Sequence, residues 1–226
     1  MIKVTVGIPR RPDVSEDFFH AHWRGRHREL ALRIRALRRY VQAHRVRSEA
    51  LSEGGGPYDG FAEVWFDDLE AALHHPSDPD YRDNLMPDEP NFADVPRLRR
   101  LIGCEEVIQR GPPLARDDRV FKVVQLVRRK PGLGDAEFRT SWGRLDELES
   151  IAALDVLRYV RTRGLPGTTD GGASFDAVRE LWWRDSAAFS AARRRAPSAW
   201  SALVEDPCID AGAQILEAVD ELRVIW

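Results

Sequence analysis

Phe18–His27 reads FFHAHWRGRH, the densest mixture of aromatic and imidazole side chains in the chain, and Phe138–Glu147 reads FRTSWGRLDE. The second stretch repeats the frame of the first from Phe19 onward, 119 residues later and without its histidines. Working outward, Lys3, Val4, Arg10, Pro12, Phe19, Trp23, Arg39, Tyr40 and Val41 recur as Lys122, Val123, Arg129, Pro131, Phe138, Trp142, Arg158, Tyr159 and Val160. Past a glycine loop the offset becomes 117: Asp59, Glu63, Trp65, Asp68, Ala71, Pro90, Val107 and Ile108 recur as Asp176, Glu180, Trp182, Asp185, Ala188, Pro207, Val224 and Ile225. One gap aligns the whole chain with itself, which reads as an internal duplication.

Each copy carries the same pattern. In residues 2–9 (IKVTVGIP), Val4, Val6 and Ile8 share one face and predict a strand. Ser15 followed by Glu16 and Asp17 predicts a helix start. Phe19, Trp23, Leu30, Ile34 and Leu37 then form one apolar stripe. Tyr40–Val46 and Phe61–Phe66 predict strands, and Asp67 or Asp68 a cap for a second helix. Residues 77–95 read as irregular, Arg97–Leu101 as a short helix and Cys104–Gln109 as the fourth strand. The order β-α-β-β-α-β is ferredoxin-like. A sheet covered by helices on one face leaves the other bare, and a tandem copy supplies the missing layer. The expected class is therefore α+β: two tandem ferredoxin-like repeats forming an intramolecular pseudo-twofold α+β barrel. Repeat 1–110 carries the histidines, 119–226 is a degenerate scaffold copy and 111–118 (GPPLARDD) a linker, with a ligand cavity between the two sheets.

Composition narrows the function classes. The chain is 43% hydrophobic and 31% charged with a net charge of −3, enough for a core and too balanced for a nucleic-acid surface. The start lacks a signal-peptide pattern and no apolar run is long enough to span a membrane, so a cytoplasmic protein is expected. Two cysteines make no disulfide framework.

Phe19, Trp23 and His27, Arg39-Tyr40-Val41, YDGFAEVWF (58–66) with Asp67-Asp68, DEPNFAD (88–94) and Glu105-Glu106 together resemble the EthD family of dimeric α+β barrel proteins. The resemblance spans roughly residues 2–109 and is weaker over 120–226. It implies the barrel fold and a small-molecule site. Relatives include cofactor-free decarboxylases, dehydratases and cyclases of aromatic polyketide pathways and proteins tied to ether degradation. More distant barrels are cofactor-free monooxygenases or haem proteins. The family defines fold far better than reaction.

All six histidines precede residue 76. His27, four residues after Trp23 at the edge of the apolar stripe, is the leading candidate base, because partial burial keeps imidazole neutral. A structural histidine bonded to a backbone carbonyl is the bland alternative. On the second strand Tyr40, Gln42 and His44 share a face expected to line the cavity, with Val41 and Ala43 turned to the helices. His44 would be a second acid–base group, or else an exposed strand-end residue. Phe61, Glu63 and Trp65 alternate in phase and should also face the cavity, Glu63 as a raised-pKa acid or histidine orienter. Its recurrence as Glu180 equally fits a structural role. Trp23, Tyr40 and Trp65 would form the wall, and His22, Gln42, Phe61 and Phe92 complete the substrate-binding set. On an ideal helix His22 lies roughly 140° from His27. His20 reads as exposed and His74-His75-Pro76 as a helix end, from which related haem barrels take an iron ligand. Asp146 stands at the place of His27 and Arg163 at that of His44.

No HExxH, paired-cysteine or phosphate-loop spacing occurs, so no metal or cofactor is expected. The expected function is a cofactor-independent enzyme doing acid/base chemistry at a carbonyl of an aromatic or polyketide-like small molecule, by cyclisation, dehydration, decarboxylation or isomerisation. The alternatives are a cofactor-free monooxygenase and a non-catalytic hydrophobic-ligand or haem carrier. No nucleic-acid or membrane partner is expected, and the chain should be a monomeric pseudo-dimer or a further homodimer. A fragment ending near Pro113 should aggregate or self-pair in light scattering; a well-behaved monomer would count against the intramolecular barrel.

Overall fold

Alternating β-branched residues make β1 (Ile2–Ile8), and Pro9 ends it. Ser15 caps α1 (Glu16–His22) by accepting from the Phe18 amide at 3.1 Å. A π turn, Trp23–His27, links α1 to α2 (Arg28–Ala31). Next come β2 (Arg39–Arg45), β3 (Gly60–Phe66), α3 (Leu69–His74), capped by Asp68, and β4 (Arg99–Gln109). The C-terminal half runs β5 (Phe121–Val127), α4 (Asp135–Ser141), α5 (Glu147–Ala153), β6 (Arg158–Gly164), β7 (Ala177–Trp183), α6 (Ser186–Arg195), α7 (Pro197–Val204) and β8 (Ile215–Ile225). The computed structural model describes residues 1–48, 51, 56–143, 147–168 and 175–226.

The eight strands form one closed antiparallel barrel in the order β1-β3-β2-β8-β5-β7-β6-β4. The N-terminal half contributes β4-β1-β3-β2 and the C-terminal half β8-β5-β7-β6, so both halves use the same internal order. Closure is by backbone pairing of edges, β2 with β8 and β4 with β6. The expected α+β barrel is what forms, closed by edge pairing; the ligand cavity expected inside it is replaced by packed side chains. Joining the edges removes every exposed strand edge. An eight-stranded barrel is narrow enough inside for its own side chains to fill. The predicted helix over Arg97–Leu101 is also corrected: β4 begins at Arg99 because Leu101 and Ile102 pair opposite Thr5 and Val4.

The lumen is packed in two layers. One is apolar and joins Ala43, Tyr58, Phe61 and Leu101 to Val124, Leu126, Val178 and Val219. The other is ionic. Lys3 contacts Glu63 at 3.2 Å and also pairs with Glu180; Lys122 contacts Glu63 at 2.5 Å, Glu180 at 2.6 Å and Glu221 at 3.1 Å. Trp65 and Trp182 lie against the two ammonium groups, each 4.7 Å from a ring centre. Burial disfavours both ammonium groups, but the surrounding carboxylates outweigh it and raise both lysine pKa values. Burial and the neighbouring Glu180 push Glu63 up to about 7, while Glu180, pulled by both lysines against its own burial, is lowered. The layer is therefore tightly coupled and close to neutral.

A buried charge that loses its partner costs about 3–5 kcal/mol, whereas replacing a pair by apolar groups is often neutral. Lys3→Met should therefore destabilise the fold by about that amount in urea titration. Adding Glu180→Leu should recover a substantial part of the loss, and strictly additive losses would contradict the coupling.

Candidate functional site

Helix α1 hands over to an i→i+5 turn at Trp23–His27. In such a turn residue i+5 sits nearly above residue i, so His22 and His27 come to one face instead of lying far apart as on an ideal helix. Both reach Asp88. His22 Nε2 lies 3.1 and 3.0 Å from the two carboxylate oxygens, and His27 Nδ1 lies 3.0 Å from Oδ2. Asn91 Nδ2 also donates to Asp88 at 3.2 Å. Phe92 stacks on His22 and meets His27 edge-on, with ring centres 5.2 and 4.8 Å apart.

Charge follows from these contacts. Burial opposes ionisation of Asp88, but the three donors outweigh it and hold its carboxyl well below the usual carboxylate range. His27 is only 6% exposed, and burial lowers its pKa although the Asp88 hydrogen bond and charge act the other way. A carboxylate can only accept, so His27 carries its proton on Nδ1 and leaves Nε2 bare. A buried neutral imidazole held in one tautomer by a carboxylate is the arrangement of a general base.

His27 lines a cavity of about 120 Å³ between the helices and the N-terminal sheet. Its walls are mainly aliphatic, with Val4, Val6, Ala62 and Val64 from the sheet and Ala31 and Ile34 from the helical layer. The other polar groups on it come from Tyr40, His75, Tyr81, Glu89 and Arg100. Tyr81 donates to Glu89 at 2.9 Å, and burial pushes the Glu89 carboxyl up. Burial also lowers His75 to about 4. An apolar pocket with a few converging polar groups of shifted pKa is what a small-molecule site requires. Its size is of the order of the ~150 Å³ apolar cavity that accepts benzene. A porphyrin does not fit it, so a haem held here by His75 is not supported.

The C-terminal half uses the same register differently. Val6 pairs with Ala62 across β1 and β3, whereas Gln125 pairs with Arg179 across β5 and β7. Arg179 is buried and donates to Tyr159 Oη at 3.0 Å, Gln125 Oε1 at 2.6 Å and the Leu203 carbonyl. Long side chains there fill the space that valine and alanine leave open in the N-terminal half.

The structure separates the other expected site residues. Tyr40, Gln42 and His44 face the helical layer, and Val41 and Ala43 face the lumen, the reverse of the expected orientation. The barrel interior needs small apolar side chains at β2, whereas the polar ones find partners on α1. Gln42 is buried between the Trp23 carbonyl, the Tyr40 hydroxyl and His44 Nε2. His44 is buried and contacts His20 Nδ1 at 2.8 Å, so His20 is not the exposed residue expected. Trp23, fully buried, stands against His44 with ring centres 4.4 Å apart and does not line the cavity. His44 is therefore not a second acid–base group in the His27 cavity. Phe61, Glu63 and Trp65 point into the lumen as expected, but the lumen is a packed core, so they are removed from the site. Phe92 lines the cavity. His74 is exposed and bonds the Glu70 carbonyl at a helix end. Arg163 pairs with Glu106 at 2.9 Å, and Asp146 lies outside the described residues. Among the described residues no group of three or more His, Cys, Asp or Glu is arranged to hold a metal, and no helix is long and apolar enough to cross a membrane.

Residues 11–96, which contain α1, the π turn, Asp88 and Phe92, match the EthD domain model. That segment of the N-terminal half is thus similar to an EthD domain. No curated protein matches the chain in sequence. Among solved structures, an anthrone oxidase-like protein is similar at 12% identity and TM-score 0.67, over 99% of this chain and 92% of that one. A candidate monooxygenase from Fusobacterium nucleatum is similar at 12% identity and TM-score 0.60, over 98% and 92%. Chlorite dismutase from Candidatus Nitrospira defluvii is similar at 11% identity and TM-score 0.54, over 96% and 90%. At such identities the likeness is one of fold. Within the N-terminal half, sequence reasoning missed Asp88 as the partner of His22 and His27, and Tyr81, Glu89 and Arg100 as cavity groups. Asp88 stood in the segment DEPNFAD, but its role depends on a π turn that no helical periodicity signals.

Because Asp88 raises the His27 pKa against the lowering by burial, Asp88→Asn should lower it further. It should also release the Nδ1–H tautomer. Nitrogen-15 NMR of the imidazole between pH 8 and 5 reads both effects; an unchanged tautomer would show that Asp88 does not orient the ring.

Proposed function

We propose that the chain is an enzyme that removes a proton from a small, largely apolar carbonyl or phenolic compound held in the cavity of the N-terminal half. His27 is the base and Asp88 orients it and balances the imidazolium that forms. The observation that carries this reading is the buried His27–Asp88 pair on the wall of an apolar cavity, with Nδ1 on the carboxylate. The substrate C–H or O–H bond breaks, its electron pair stays on the substrate as an enolate or phenolate, and the proton moves to Nε2. Dehydration, decarboxylation, cyclisation and isomerisation at a carbonyl can all proceed through such a step.

The names of the fold neighbours, an anthrone oxidase-like protein and a candidate monooxygenase, favour a second reading that shares this step. The carbanion would then react with dioxygen without a cofactor. Oxygen uptake with a turned-over substrate separates the two.

We further read the chain as a fused pair in which 1–110 carries the site, 119–226 serves as scaffold and 111–118 links them. The shared strand order and the matched Lys3/Lys122, Glu63/Glu180 and Trp65/Trp182 support this. Two free cysteines fit a reducing, cytoplasmic setting.

A panel of one-ring ketones and phenols in D₂O tests the base. The wild type should exchange the acidic hydrogen of at least one member, read by proton NMR. His27→Ala and Asp88→Asn should each slow that exchange by about 10²–10⁴-fold. Exchange unaffected by His27→Ala would remove His27 as the base.

A further inference from the structure

We propose that the Tyr40 hydroxyl is a hydrogen-bond donor for the substrate's oxygen, so that the cavity selects an enolisable carbonyl compound about one ring in size. The inference deepens the proposed function and rests on the same cavity.

The argument is an accounting of hydrogens around one oxygen. The Trp23 carbonyl can only accept, so the Gln42 group 2.8 Å from it must be the amide nitrogen. That nitrogen has a second hydrogen, which it gives to Tyr40 Oη at 2.9 Å. The Trp23 indole nitrogen, which can only donate, gives another to Tyr40 Oη at 3.2 Å. Both lone pairs of the hydroxyl are thereby used, and the hydroxyl can act only as a donor through its own hydrogen. No acceptor for that hydrogen is found among the described residues, although Tyr40 is only 3% exposed. A buried donor without an acceptor is costly unless a bound group supplies one. Tyr40 lines the cavity, so a ligand there can supply it.

The surroundings support the donor role. Burial, against the bonds from Gln42 and Trp23, pushes the phenol up to about 12, so it keeps its proton at neutral pH. Two donors into the oxygen polarise the remaining O–H bond, and hydrogen-bond chains strengthen in this way. The amide that holds Tyr40 is itself anchored: Gln42 Oε1 takes a hydrogen from His44 Nε2 at 3.2 Å. His44 Nδ1 is then bare and accepts from His20 Nδ1 at 2.8 Å. The buried His44–Gln42 pair thus acts as a positioning group for Tyr40. The other phenol on the wall, Tyr81, spends its hydrogen on Glu89.

The cavity therefore offers an acceptor, His27 Nε2, and a donor, Tyr40 O–H. A molecule that uses both presents an acidic hydrogen and an acceptor oxygen, as an enolisable ketone does. As the C–H bond breaks and its proton passes to His27, the electron pair moves onto the carbonyl oxygen. Tyr40 keeps its proton and stabilises that oxygen by a bond aimed where charge develops.

Carbonyl-¹³C cyclohexanone is the probe, with methylenecyclohexane as a comparator of similar shape that lacks the acceptor. In the wild type the bound carbonyl stretch should lie at lower frequency than in an alkane solvent, and the ketone should bind about 2–10-fold tighter than the alkene. Tyr40→Phe should return the stretch to its alkane value and abolish that preference. If Tyr40→Phe fails to fold, 3-fluorotyrosine at position 40, a stronger donor with the hydroxyl retained, should lower the frequency further. A shift that survives Tyr40→Phe, no response to fluorination, or failure of the ketone to bind would overturn the proposal. His27→Ala should leave the shift in place while stopping deuterium exchange. A Tyr40-dependent shift without exchange in any protein would keep the donor and sink the base.

Discussion

Two lysines and two glutamates, buried where the halves of the barrel meet, govern how this molecule is put together. Lys3 reaches Glu180 and Lys122 reaches Glu63, so each ammonium has a carboxyl partner from the other half beside those of its own. Edge pairing of β2 with β8 and of β4 with β6 supplies backbone bonds but tolerates slippage. Slipping one half past the other would draw these four side chains apart and leave uncompensated charges behind. The ionic layer thus acts as a register lock more than as a source of net stability. Its cost in desolvation is met by the apolar layer above it, from Phe61 and Leu101 to Val124 and Val178.

A filled lumen decides where a ligand can go. With eight strands closed around packed side chains, free space must lie under the helices. The cavity beside His27 opens where the helical layer and the sheet fail to fill one another. In the N-terminal half that place is set by Val6, Ala62 and Val64, too short to reach the helices. In the other half Gln125 and Arg179 occupy the matched positions and bond across the sheet face. One small-to-large exchange on a sheet face thus separates a cavity from a core.

The meeting of His22, His27 and Asp88 depends on a local irregularity of the helix. The π turn at Trp23–His27 adds one residue to a turn, and that residue brings His22 and His27 to a common carboxylate. In the matched region α4 ends at Ser141, with Trp142 already extended. The helix that carries His22 and continues through Trp23 thus has a counterpart that stops one residue earlier and bears no histidine. The segment supplying Asp88, Glu89 and Phe92 is a run of short π and 3-10 turns, held by prolines and by its contacts with α1. Its order comes from packing and not from any helical period of its own.

Much of the architecture could be read from the chain itself. Period-two alternation located most of the strands, and the apolar stripe Phe19, Trp23, Leu30, Ile34 and Leu37 is buried throughout. Ser15 and Asp68 cap the helices they precede because those contacts are local. Burial of His27 also followed from its spacing after Trp23. What tertiary structure alone decided was which strand face is the inside. Alternation states that Tyr40, Gln42 and His44 share a face, but not whether that face meets helix or lumen. The decision comes from partners that only the folded chain assembles: Val41 and Ala43 pack in the lumen, while Gln42 bonds the Trp23 carbonyl and His44 meets His20 on α1. The pairing of His22 and His27 on Asp88 was likewise beyond the sequence, since it requires an i→i+5 turn and a carboxylate 61 residues beyond His27 to coincide in space.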